Sequence, residues 1–231
     1  MSKADRNIMG LEHGKNGDRI AVVLKGQQIY KKLYKPTNPR TPEQQKHRKK
    51  LGSVNQLSKV LAEAVNRGFA KVPEPGSSQT ARNAFTHENF YNGAMLWDEE
   101  TEKWYIRPEL LKLAMGPRYV GVEMKAEVRG GRLHISCPDT GMYDPHGVKD
   151  DQLLVAIYRP EVPTLHLLEG PLREACGECD FPLPETEGED DVMHIYTWFQ
   201  ATKYHRSGGG KITVRPGQAS QSVYLGCFLN D

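Results

Sequence analysis

The sequence predicts an α+β protein: a basic N-terminal β-hairpin plus long helix region, then a C-terminal immunoglobulin-like β-sandwich. Three observations predict it. Residues 19–34 show strand alternation around a turn. From Thr41, apolar residues recur at helical spacing for about 25 residues. Beyond Arg118, seven short β-rich segments alternate with turn signals over about 110 residues, the texture of a sandwich. The corresponding division is 1–75, a second helix with connecting strands over 76–117, and the sandwich over 118–231.

In the hairpin, an apolar β-branched run over Arg19–Leu24 meets a Lys25-Gly26-Gln27 turn, and alternation resumes at Ile29 and Leu33. A two-stranded hairpin is marginal in water, so this one needs a packing partner. Pro36 and Pro39 keep Lys35 and Asn38 out of helical geometry. Thr41 then stands as N-cap, Pro42 at the first helical position and Gln44 at capping-box spacing. Leu51, Val54, Leu61, Val65 and Phe69 form the apolar stripe, which ends between Gly68 and Pro73. Residues 73–78 read as a linker, and Thr80–Asn92 as a shorter helix with Ala81, Ala84, Phe85 and Phe90 inward. Lys103–Arg107 and Leu110–Met115 read as short strands, with a helical turn as the alternative for the second. The predicted sandwich strands are 120–128, 132–137, 152–158, 164–168, 179–183, 193–201 and 220–229, divided by turns such as Gly130-Gly131 and Gly208–Gly210.

The net charge of +2 conceals an asymmetry. Residues 1–75 hold 16 Lys/Arg against 6 Asp/Glu, and residues 76–231 hold 15 against 23. Such polarity suits either an anionic partner for the basic end or contact between copies of the chain. No apolar run reaches the roughly 18 residues of a membrane helix. The first 15 residues lack the apolar stretch of an export signal, so synthesis in the cytoplasm is expected, with a virion as the other candidate location.

The basic cluster Lys31, Lys32, Lys35, Arg40, Lys46, Arg48, Lys49 and Lys50 is the candidate interaction surface. Cations of this density can neutralise phosphates, yet no base-reading motif accompanies them. A solvated face and a protein interface are the competing readings. Cys176-Gly177-Glu178-Cys179 has the spacing of a zinc half-site or redox pair, but no second pair follows. Cys137 and Cys227 stand apart in the sequence, so the four thiols read as reduced, largely core cysteines. The acidic run 185–191 and the Asp139, Asp144, Asp150 and Asp151 group lack the pattern of a calcium loop. His134, His166 and His194 fall in predicted strands, at half-buried or solvent-facing positions. No metal site and no cofactor is expected, and no Walker, HExxH, GxSxG or GxGxxG motif occurs.

Asn38-Pro39-Arg40-Thr41-Pro42-Glu43-Gln44 carries a resemblance, and the chain end carries another part of it: Met193–Phe199, a loop, then Ser220–Gly226. Together they resemble a family of uncharacterised bacterial proteins common in Bacteroidota, a domain of unknown function. In that family a glycine-rich N-terminus and short strands lead into an Asn-Pro-Arg-Thr-x-x-Gln helix opening. The CxxC and the long 204–217 loop depart from its pattern. The resemblance implies no catalytic residue. Similar helix openings in phage structural proteins imply a virion or prophage-derived role.

The expected function is thus a non-enzymatic structural or assembly protein, a phage or phage-like component that oligomerises through its hairpin, by strand addition to a neighbour. Its partners would be itself or other structural proteins, with no membrane and no small-molecule substrate. The alternatives are a nucleic-acid-binding accessory protein using the basic helix, and an enzyme built around Asp144 and His146.

Overall fold

In the computed structural model the described residues are 2–4, 12–24, 27–33, 40–69, 80–121, 123–138, 146–184, 191–206, 213–215 and 217–229. The chain divides into two compact units, Met1–Gln44 and Gln45–Asp231.

The first unit is a four-stranded antiparallel sheet of β1 (Ser2–Ala4), β2 (Gly14–Asn16), β3 (Arg19–Leu24) and β4 (Gln27–Lys32), ordered β1-β4-β3-β2. The predicted hairpin is present as β3 and β4, in register from Arg19↔Lys32 to Leu24↔Gln27, and its turn residues 25–26 lie outside the described residues. The hairpin strands are the inner pair of this sheet: β1 pairs with Gln28–Tyr30 of β4 and β2 with Arg19–Ala21 of β3. The Gln28 carboxamide closes the unit by accepting from the Glu12 N–H (2.7 Å) and donating to the Glu12 carbonyl (2.9 Å).

Helix α1 (Pro42–Val60) starts as its residues dictate, with Thr41 Oγ1 accepting from the Gln44 N–H at 3.3 Å. The single long helix of the sequence reading becomes α1 and α2 (Ala62–Gly68), yet the backbone ladder continues through Leu61: its N–H bonds Leu57 O and its carbonyl accepts from Val65, both at 2.9 Å. Helix α3 (Ala81–Tyr91) is capped by Thr80, whose hydroxyl accepts from Asn83 N at 3.1 Å. The linker at 73–78 falls outside the described residues.

Strands β5 (Met95–Asp98) and β6 (Lys103–Ile106) make a hairpin, of which only the second strand is expected from sequence. Leu110–Met115 is not a strand. A 3-10 turn over Pro108–Leu110 leads into an extended, buried segment whose backbone is satisfied by distant side chains. Asn89 brackets Lys112, accepting from its N–H (2.8 Å) and donating to its carbonyl (2.9 Å), and Leu113 N–H donates to Ser222 Oγ at 3.0 Å.

All seven expected C-terminal strands occur: β7 (Lys125–Arg129), β8 (Arg132–Ser136), β9 (Asp151–Arg159), β10 (Thr164–Leu172), β11 (Glu178–Pro182), β12 (Val192–Ala201) and, after the short pair β13 (His205–Arg206) and β14 (Thr213–Val214), β15 (Val223–Leu229). The first begins later than expected, at Lys125, because Gly121 and Glu123 adopt φ of 92° and 57° and interrupt extended geometry. The strands form a four-stranded sheet, β10-β9-β12-β15, and a three-stranded sheet, β11-β8-β7. Leu133, Ile135, Leu153, Ile157, Ile195 and Phe181 pack between the two sheets. On its other face the four-stranded sheet presents Leu154, Ala156, Tyr196 and Trp198 to Val54, Leu61, Val65 and Phe85 of the helices. The central strands are therefore covered on both faces, which is why β9 and β12 are continuous apolar runs rather than alternating ones. One core joins helices 45–69 and 80–91 to the sheet, crossing the segment boundaries drawn along the sequence. No helix among the described residues is long and apolar enough to cross a membrane.

Candidate functional site

Helical spacing distributes the basic run of α1 over different surroundings. Lys46, Lys49 and Lys50, at i, i+3 and i+4, share one face, and that face meets the β5–β6 hairpin. Trp97 and Trp104 stand directly opposite each other in the hairpin, with ring centroids 5.3 Å apart. Lys46 lies over Trp97 at 4.8 Å and pairs with Glu99 at 3.0 Å, while Lys49 lies over Trp97 at 5.5 Å and pairs with Glu102 at 3.0 Å. Lys50 sits over Phe90 (4.6 Å) and Trp104 (4.8 Å), and burial pulls its pKa below the usual lysine value. Trp104 Nε1 also donates to the Lys46 carbonyl at 3.2 Å, so the hairpin is fastened to helix backbone as well as side chains. Such cation–π contacts contribute about 0.5–1 kcal/mol each at exposed sites.

The remaining predicted cations lie elsewhere. Arg48 projects from an exposed position of α1, and His47 packs on Phe90 at 4.8 Å. Lys31 and Lys32 are exposed on β4 of the first unit, Lys32 directly opposite Arg19. Arg40, also exposed, holds φ of 49° just before the helix. Lys35 is outside the described residues. The structure thus gathers three of the eight cations into one cluster, and that cluster is engaged by aromatic and acidic side chains of the same unit. Sequence reasoning missed the hairpin partners. The signal was available in Trp97-Asp-Glu-Glu-Thr-Glu-Lys-Trp104, two aromatics flanking an acidic turn.

A second cluster lies inside the sandwich. Asp151, 1% exposed, accepts from Arg118 at 2.7 Å and Arg173 at 3.3 Å, and Arg173 donates onward to the Tyr119 carbonyl at 2.6 Å. Asp150 instead meets Lys203 at 3.3 Å. Asp139, Asp144 and most of the acidic run 185–191 lie outside the described residues; Asp191, at its end, pairs with Arg159. Among the described residues no group of three or more His, Cys, Asp or Glu is arranged to hold a metal ion.

The cysteines correct one expectation. Cys137 does not stand apart: its N–H donates to the Gly177 carbonyl at 2.8 Å, and its thiol is within hydrogen-bond reach of Cys176. Cys176 and Cys179 have sulfurs 3.8 Å apart, and all three residues are buried. Cys227 is exposed. His194 is also more enclosed than expected: 9% exposed, its Nδ1 lies 3.0 Å from the Tyr224 hydroxyl, and burial holds its pKa below the usual histidine value. His134 is half-buried and pairs with Asp180 across β8 and β11.

No family model matches the chain, and no curated protein or solved structure matches it either.

Proposed function

We propose that the protein is a non-enzymatic structural subunit, a component of a phage or phage-like particle, that self-associates through its N-terminal sheet. One observation carries this reading. Among the residues of Met1–Gln44 whose side chains are described, Ala21, Gln28 and Ile29 are buried, and four strands pair there. Two buried apolar side chains among those described are few for a four-stranded sheet, whose independent stability depends on an apolar packing face. Ile20, Val22 and Val23 remain half-buried. Packing the face that Ile20, Val22 and Ile29 share against another copy adds a second layer, and strand addition to a neighbour would use the outer strands β1 and β2.

The C-terminal body is read as immunoglobulin-like. Its first, second and fifth strands form one sheet, and its third, fourth, sixth and seventh form the other, an order in keeping with that class of sandwich. Membership of the Bacteroidota family, and residence in the cytoplasm or a virion, belong to the same proposal and rest on the sequence motifs. The engagement of Lys46, Lys49 and Lys50 by Trp97, Trp104, Glu99 and Glu102 counts against the nucleic-acid reading, because those cations already have partners.

Light-scattering mass after size exclusion tests this, on nuclease-treated protein at moderate and high salt. The chain is expected to give a defined oligomer that persists in high salt. Val22→Lys, on the β3 face opposite Ile29, is expected to give monomer with an unchanged circular-dichroism spectrum. A wild-type monomer at both salts, at the highest attainable concentration, overturns the proposal.

A further inference from the structure

The thiol cluster at the start of β11 has no role in the proposed assembly, and a buried cysteine is ordinarily only a small apolar residue. Four features set this cluster apart. Cys176 and Cys179 are separated by two residues, and their sulfurs are already in contact at 3.8 Å. Bond formation at about 2.05 Å needs a sulfur movement of about 2 Å, which thiol rotation and a small shift of the turn can supply. The intervening Gly177 and Glu178 are exposed, and a side chain's worth of open space lies beside Gly177, so a small shift of this turn meets no steric obstacle there. Strand β11 is an edge of its sheet, so local opening there exposes the Cys179 sulfur without unpairing two neighbours.

The third sulfur and a cation complete the set. The Cys176 thiol shares hydrogen-bond contact with Cys137 and Cys179, which pushes its pKa up, while contact with Cys176 pulls the Cys179 pKa down against the opposing effect of burial. The Arg173 guanidinium lies within electrostatic reach of Cys137 and is stacked 3.7 Å from the Phe199 ring centroid. Cys179 sits on the edge strand, where local opening brings its sulfur to solvent first, and the thiolate is the attacking species in exchange.

We propose that Cys176 and Cys179 form a reversible oxidation site that closes to a disulfide by exchange with a low-molecular-weight disulfide of the glutathione class. The Cys179 thiolate attacks one sulfur of the small disulfide, forming a mixed disulfide and releasing one small thiolate. Cys176 then loses its proton to solvent and attacks the Cys179 sulfur, releasing the second small thiolate. Two protein thiols are oxidised to one disulfide and one small disulfide is reduced to two thiols. A dithiol reductant reverses both steps.

The full chain carrying Cys227→Ser tests this, since that residue is exposed and its thiol would otherwise react first. The folded protein is incubated with oxidised glutathione, quenched with acid, alkylated and digested with trypsin. Two of its three thiols are expected to escape alkylation. The 174–203 peptide, which contains both Cys176 and Cys179, is expected to lose two hydrogens and to regain them after dithiothreitol. Retention of all three thiols overturns the proposal. So does a cross-link between that peptide and the one bearing Cys137, because it assigns the bond to a different pair. Cys176→Ser is expected to leave a stable mixed disulfide at Cys179, and its absence would remove Cys179 as the attacking group.

Discussion

Asp151 holds two guanidiniums with one carboxylate oxygen, in a place where all three side chains are at most 1% exposed. The two arginines come from 33 residues earlier and 22 residues later in the chain. Removing the negative charge leaves two arginines buried against each other, so Asp151→Asn is expected to cost about 3–5 kcal/mol in urea unfolding. Asp150→Asn, which loses the ion pair to the largely exposed Lys203, should cost less than Asp151→Asn. Comparable losses in the two variants would remove the distinction drawn between them. Nothing local in the sequence separates Asp150 from Asp151, because the difference is made by arginines that only the fold delivers. His194 gives a second residue-level test. Its folded pKa lies below the unfolded value of about 6.5, so the unfolded chain binds the proton more readily. Its contribution is complete above that pH and is lost as pH falls through the folded pKa. His194→Gln should flatten the stability profile on the acid side of 6.5, and an unchanged slope would show that other groups dominate there.

At the scale of elements, the β5–β6 hairpin and α1 behave as one construction. Trp97 touches both Lys46 and Lys49, and Trp104 reaches Lys50 and the Lys46 carbonyl. Trp97→Ala removes two cation–π contacts and the cross-strand ring pair. It is expected to lower stability by about 2–3 kcal/mol, below the 3–5 kcal/mol of a fully buried aromatic because Trp97 is only half-buried. Thermal unfolding measures it, and a change below about 0.5 kcal/mol would mean the hairpin is not fastened this way. Charge reversal at Lys46, Lys49 and Lys50 would damage the same construction, so a nucleic-acid test is cleaner at Lys31, Lys32 and Arg48. The seven sandwich strands were legible because β-branched runs between turn residues carry their own punctuation. Strand β5 was not, since Met95–Asp98 is four residues without alternation and gains its identity from pairing with β6. The buried segment after Leu110 was misread as strand for a related reason. Its apolar residues satisfy a core position, while Asn89 and Ser222, distant in sequence, stand in for a neighbouring strand.

At the scale of the molecule, the charge asymmetry and the division into two units coincide only in part, because Lys46 and Lys49 of the basic end pair with carboxylates within Gln45–Asp231. In the first unit the described side chains that are both apolar and buried are Ala21 and Ile29. The second unit has a core contributed by helices and both sheets, so its amides at β9 and β12 should exchange only through global opening. On the proposed assembly, the N-terminal sheet should open locally in a dilute monomer and be held when its face is covered. Native-state amide exchange, followed at low and high protein concentration, reads this directly. Amides of Ile20–Val23 and Gln28–Lys31 are expected to exchange at least tenfold more slowly at high concentration, while those of Leu153–Tyr158 and Ile195–Phe199 stay constant, since a site that is covered in the assembly gains protection by mass action. If the two sets are equally protected in the dilute monomer, the N-terminal sheet is already stabilised within the chain, and self-association must use another surface.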